Sequence, residues 1–187
     1  MKKVAWWISL LFGPVVLLPF MLGLLMLMLG LPEKYLVTGC ALFACDILIP
    51  CLIYLWFYNT KRISDMDITK RRERLVVFPL FLLSHFAGLI KVWYLGEVAL
   101  LGALITLFVL SLLMVVITFF WKISVHVILI TALWMFLINF FGFVTMWWFG
   151  IVVCLVMWSR IILKRHTLRQ VLAGFLLSIA MLFFLKS

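Results

Sequence analysis

The chain has 187 residues, 68% of them hydrophobic and only 12% charged, with a mean hydropathy of +1.34. A water-soluble domain is about 45–50% apolar and about 25% charged, so this composition excludes a soluble globular fold and identifies an integral membrane protein. The formal charge of +10, from 16 Lys and Arg against 6 Asp and Glu, points in so apolar a chain to the orientation of membrane loops, and no nucleic-acid partner is expected.

About 20 apolar residues cross a bilayer, and on that measure the sequence predicts seven spans, at 4–31, 36–58, 75–95, 98–121, 124–141, 143–159 and 169–186. The expected fold is all-α, a polytopic transmembrane helix bundle forming a single domain over 1–187. The first run carries Lys2 and Lys3 ahead of an apolar stretch much longer than a signal-peptide core. It is read as a retained helix, bent by Pro14 and Pro19. The second run holds Cys40, Cys45 and Cys51; with Cys154 they show neither C-x-x-C spacing nor a disulfide framework. Between the second and third spans lies the longest polar stretch, Asn59 to Arg74, read as a solvated basic loop touching lipid headgroups. The Asp67 and Arg71 spacing would also suit a short surface helix there.

Seven spans place the N-terminus and the loops 59–74, 122–123 and 160–168 on one side. With Arg169 at its border, that side carries 13 Lys and Arg, whereas the other has only Lys34, Lys91 and Lys186. Basic residues near span ends are retained in the cytoplasm, so the first side is expected to face it, in an inner or plasma membrane.

Ionisable groups inside a bilayer are costly, about 2.5–3.5 kcal/mol at a helix centre, so each needs a reason. Asp46 lies 12 residues from the cytoplasmic end of its span and His85 lies 10 from that end of the next. Their depths agree within roughly 3 Å at 1.5 Å per residue. The two are expected to pair directly or through water and hold the second and third spans together; the alternative is a protonated Asp46 bonded to a backbone carbonyl.

The other two histidines, His126 and His166, fall on the same face as the basic loops. Cleaving a phosphate ester needs cations and donors around the anionic oxygens, a nucleophile, and an acid for the leaving oxygen. Arg160, Arg74, Arg71, Ser124 and the two histidines supply that inventory. Simpler readings stand beside it: Arg160, Lys164, Arg165 and Arg169 serve as cytoplasmic anchors, and Thr167-x-x-Gln170 matches a capping box that opens the last helix. No metal or other cofactor is expected, since two histidines without acidic or thiol companions make a poor metal site. A haem would need histidines at matching depth, and His85 lies well below the other two.

Ser159-Arg160, five residues, His166, three residues, then Gln170 resembles the third signature of the type 2 phosphatidic acid phosphatase superfamily, in which the last position is usually Asp. Ile123-Ser124-Val125-His126 is similar to its second signature, Pro-Ser-Gly-His, keeping Ser and His. The first signature, Lys, six residues, Arg-Pro, is absent as written; Arg71 and Arg74, or Lys70 and Arg74, stand where equivalent cations would be. The resemblance covers residues 122–178 and implies a six-helix core, to which the seventh span is an addition. It further implies that His166 attacks phosphorus, that His126 protonates the departing oxygen, and that Arg160, Ser124 and a basic residue of 59–74 hold the phosphoryl oxygens. Gln170 would orient His166 without bringing the charge of an Asp. The function implied is a metal-independent hydrolase acting on a lipid phosphate or isoprenyl diphosphate among membrane lipids. A non-catalytic protein that keeps the anion site, as a transporter component or scaffold, is the alternative.

Overall fold

The computed structural model describes residues 1–28, 34–65 and 67–183. Residues 29–33, Met66 and residues 184–187, which include the ends of the first and last predicted spans, lie outside the description. Every regular element among the described residues is helical. Four helical stretches, the first of them interrupted at Phe12 and Gly13, have the length and apolarity to cross a membrane: Lys2–Met28, Leu36–Asn59, Arg71–Tyr94 and Leu100–Phe120. Three more apolar helices, Val125–Phe141, Phe149–Ile162 and Leu168–Phe183, have 17, 14 and 16 residues. They rise only about 21–26 Å at 1.5 Å per residue, against the roughly 30 Å of a hydrocarbon core. Among the described residues the seven predicted spans thus correspond to four helical stretches of spanning length and three shorter helices.

The backbone accounts for the short helices. The first predicted span is two helices, α1 (Lys2–Leu11) and α2 (Pro14–Met28), parted at Phe12 and Gly13. Proline has no N–H to donate and suits a first helical position, so Pro14 opens α2 instead of bending a continuous helix, while Pro19 lies inside it. The predicted span 143–159 is likewise divided, into one turn at Phe143–Met146 and the helix Phe149–Ile162.

By internal contacts the chain divides into two compact units, residues 1–17 with 122–187, and residues 18–121. In the second, α3 (Lys34–Phe43) passes through a π-helical turn (Ala44–Leu48) into α4 (Ile49–Asn59), and these pack on α5 (Arg71–Tyr94), which pairs with α6 (Val98–Phe120). A π turn carries an extra residue, is rare, and appears where a sequence is under constraint. Here the constraint is polar. The Ser84 hydroxyl donates to the Cys45 carbonyl, 2.5 Å away. Asp46 Oδ1 lies 2.5 Å from His85 Nδ1. His85 Nε2 faces the Leu104 carbonyl at 3.3 Å, and its ring stacks on Phe108. The pairing of Asp46 with His85 inferred from depth is therefore direct, and it ties the π turn to α5 and α6. Each side chain satisfies a polar atom of the other, which lowers the cost of burying them.

The segment between α4 and α5 is a loop, and the short surface helix that the Asp67 and Arg71 spacing would also suit does not form: α5 begins at Arg71, and residues 60–65 and 67–70 are turns and irregular backbone. Asp65 Oδ1 accepts the backbone N–H groups of Asp67 and Thr69 and the Thr69 hydroxyl, so the side chain competes with a helix for the local donors.

In the first unit, α1 buries Ala5 and Ser9 and packs on α9 (Phe149–Ile162), while α7 (Val125–Phe141) packs on α9 and on α10 (Leu168–Phe183); the turn Phe143–Met146 is α8. Gly174 and Ser178, four apart on α10, allow the close approach to α7. A Cβ at Gly174 would stand 3.1 Å from the Ser124 carbonyl, and the Ser178 hydroxyl donates to the Ile128 carbonyl at 3.0 Å. Small residues spaced this way are how apolar helices pack without a hydrophobic drive.

Candidate functional site

Three chain segments of the first unit bring the motif residues to the ends of α7, α9 and α10. Ser124 is the N-cap residue of α7, with extended backbone and its carbonyl accepting the Ile128 N–H at 3.0 Å. Its side chain is fully buried, and among the described residues its hydroxyl has no hydrogen-bond partner. A Ser at this position ordinarily caps the helix, so an idle buried hydroxyl is a stored cost of about 1–3 kcal/mol. His126, in the first turn of α7, is 5% exposed.

Arg160 is 1% exposed and sits in the last turn of α9. Its guanidinium donates through Nη1 to the Ser9 hydroxyl of α1. Its carbonyl accepts two backbone N–H groups, from Arg165 at 3.0 Å and His166 at 3.3 Å. Together with Lys164 N–H to Ile161 O at 2.9 Å and a left-handed Lys164 (φ 54), these bonds form a Schellman closure. One residue therefore supplies a buried cation and fixes the backbone that carries His166. Lys122 Nζ adds a bond to the Arg165 carbonyl, 2.8 Å. The helix α4 ends by the same closure, with Lys61 at φ 55 and Arg62 N–H on the Phe57 carbonyl.

Gln170 performs both jobs that the sequence offered as alternatives. Its Oε1 lies 3.2 Å from the Thr167 N–H nitrogen and 3.2 Å from His166 Nδ1, while the Gln170 N–H reaches the Thr167 hydroxyl at 3.4 Å. The capping box opens α10, and the same oxygen holds the imidazole. Because a backbone N–H can only donate, it sets the oxygen end of the amide toward both partners.

Ser159, the other half of the Ser-Arg pair, is fully buried and returns its hydroxyl to the Val156 carbonyl at 2.7 Å, a helix-internal bond. Arg71 and Arg74 belong to the second unit. Arg71 is exposed and caps α6, donating to the Thr118 carbonyl at 3.3 Å and to that of Phe119. Arg74 is 2% exposed; its Nε donates to the Ile68 carbonyl at 2.7 Å and its Nη2 approaches that of Asp67 at 3.5 Å. Ile68 stands at φ 46, a costly conformation for a β-branched residue, and Arg74 is what holds it.

Sequence reasoning missed Ser9. A lone serine in a 27-residue apolar run carries no local signal. Among the described residues no group of three His, Cys, Asp or Glu side chains is placed to hold a metal.

The fold and this cluster define an all-helical membrane protein with buried histidines, an arginine and hydroxyl groups at the ends of its shorter helices. No family model, curated protein or solved structure matches the chain.

Proposed function

We propose that the chain is an integral membrane phosphatase, hydrolysing a lipid phosphate or isoprenyl diphosphate through a phosphohistidine on His166, with its site on the cytoplasmic side. The observation that carries this reading is the 3.2 Å contact of Gln170 Oε1 with His166 Nδ1. An amide oxygen accepts, so Nδ1 carries the hydrogen and, in the neutral ring, Nε2 presents its lone pair, as a nucleophile must. Nε2 attacks phosphorus, the bond from phosphorus to the lipid oxygen breaks, and His126 gives that oxygen a proton. Water then attacks the phosphohistidine, His126 takes a proton from it, and inorganic phosphate leaves with Nε2 restored. Arg160 and the idle Ser124 hydroxyl offer charge and a donor to the phosphoryl oxygens as negative charge builds on them. The excess of Lys and Arg on one set of loops supports the cytoplasmic orientation.

The neutral Gln170 favours a second reading, a protein that binds lipid phosphates without turning them over, since an amide does not stabilise an imidazolium as a carboxylate does. Release of inorganic phosphate by the purified protein from a panel of lipid phosphates and isoprenyl diphosphates separates the two. Release that is lost in His166→Ala and His126→Ala supports the enzyme. Binding with no release from any substrate leaves the second reading standing.

A further inference from the structure

The N-terminal helix enters the motif cluster from the far end of the sequence. Ser9, on α1, is 6% exposed and accepts a hydrogen bond from Arg160, which lies 151 residues away. Gly13, one helical turn further on, lies against His126: a Cβ built there would stand 3.5 Å from His126 Nε2 and 3.1 Å from the Ser9 carbonyl oxygen. Arg160 and His126 are thus brought to the same turn of backbone, Ser9 to Gly13. The assignment is strengthened by the hydroxyl's own donor. A serine hydroxyl has one proton and two lone pairs; Arg160 occupies a lone pair, and among the described residues the Ser9 proton goes to no acceptor. With Ser124 and Thr131 there are then, among the described residues, three buried hydroxyls on this unit whose donors are unused, and of the three Ser9 is the one that also accepts from Arg160.

We propose that Ser9 is a phosphate-binding residue, its hydroxyl holding the Arg160 guanidinium in place and donating its own proton to an oxygen of a bound phosphate group. This rests on the reading of the cluster as a phosphate site. A buried donor left idle costs about 1–3 kcal/mol, and an anionic oxygen is the acceptor that a neighbouring guanidinium selects. Arg160 supplies charge and Ser9 direction, since the hydroxyl is an uncharged partner of the guanidinium. The ligand chemistry is a tetrahedral phosphate with unesterified oxygens, whether free or as a lipid headgroup.

The test uses the full-length protein in lipid nanodiscs, reading the shift in thermal midpoint produced by inorganic phosphate and, in a separate arm, by phosphatidate incorporated at a few per cent of a phosphatidylcholine bilayer. The parent should be stabilised by phosphate, and Ser9→Ala should weaken its apparent affinity about tenfold, the loss of one charge-assisted bond of about 1.4 kcal/mol. Ser9→Thr should restore most of that affinity, and Ser9→Cys, which keeps the volume with a weak donor, should behave like Ser9→Ala. A purely structural Ser9 would lower the midpoint without phosphate and leave the phosphate-induced shift unchanged, and that result would overturn the assignment while sparing the site. If the parent responds to neither ligand, both the assignment and the phosphate site are wrong. A response to phosphatidate alone assigns the site to a headgroup; a response to inorganic phosphate as well assigns it to the bare phosphate.

Discussion

His166 and Gln170 are joined through a single oxygen: Gln170 Oε1 stands 3.2 Å from His166 Nδ1 and 3.2 Å from the Thr167 nitrogen. Orientation of the imidazole and initiation of α10 therefore depend on the same atom, and neither can be altered alone by removing it. Gln170→Ala should cost about 1 kcal/mol of stability through the lost cap. It should also lower phosphate release at least tenfold, about 1.4 kcal/mol in the barrier. Gln170→Glu keeps the reach to both partners and adds a charge beside the imidazole, so it should retain the melting midpoint and match or raise the rate. Asp is one methylene shorter, so it should perform less well than Glu despite its equal charge. Phosphate release and thermal midpoints of the three variants decide this; equal activity in Gln170→Ala would remove Gln170 from the mechanism.

Asp46 and His85 provide a test that is independent of any activity. With the Asp46 side chain 17% and the His85 side chain 13% exposed, each shields the other from an apolar surrounding. Replacing either one by Leu should destabilise the protein by about 1–3 kcal/mol, the lower part of the range for a broken buried pair because both groups keep some exposure. The double replacement should recover at least about 1 kcal/mol of the summed loss. Unfolding of detergent-solubilised protein, followed for the four members of the cycle, measures the coupling; strictly additive losses would mean that the contact contributes nothing.

Lys164 distinguishes a backbone role from a charge role. It occupies the left-handed position of the closure at the end of α9, where an L-residue costs about 1 kcal/mol. Lys164→Gly should leave stability unchanged or raise it by up to about 1 kcal/mol, with phosphate release retained. Lys164→Val should lower the midpoint and reduce the rate, because the turn it strains carries the His166 backbone. If Gly abolishes release while Val preserves it, the side chain's charge and not the turn is what matters.

Orientation is tested with single cysteines at Lys61 and Lys164, both exposed, in a protein whose four native cysteines have been replaced. A membrane-impermeant thiol reagent should label both only after the cells are opened. Labelling of both in intact cells would reverse the orientation, and labelling of only one would place the two basic loops on opposite sides.

What was legible in the sequence was whatever depends on neighbours along the chain. Composition alone gives a helical membrane protein, because a bilayer forces backbone groups to pair within each segment. The capping box at Thr167 and Gln170 and the matched depths of Asp46 and His85 follow from helix periodicity, and the structure shows both. The Ser-Arg and His spacing marked Arg160 and His166, and the backbone closes the turn between them with the His166 N–H on the Arg160 carbonyl. What only the tertiary structure decided depends on contacts that have no period. The bond between Ser9 and Arg160 joins residues 151 apart. The lengths of α7 and α9 are set by their closing turns, which hydropathy does not register. Arg71 and Arg74 read as two cations one turn apart, yet one caps α6 and the other holds the Ile68 carbonyl, because a guanidinium bonds whichever acceptors the packed chain sets within its reach.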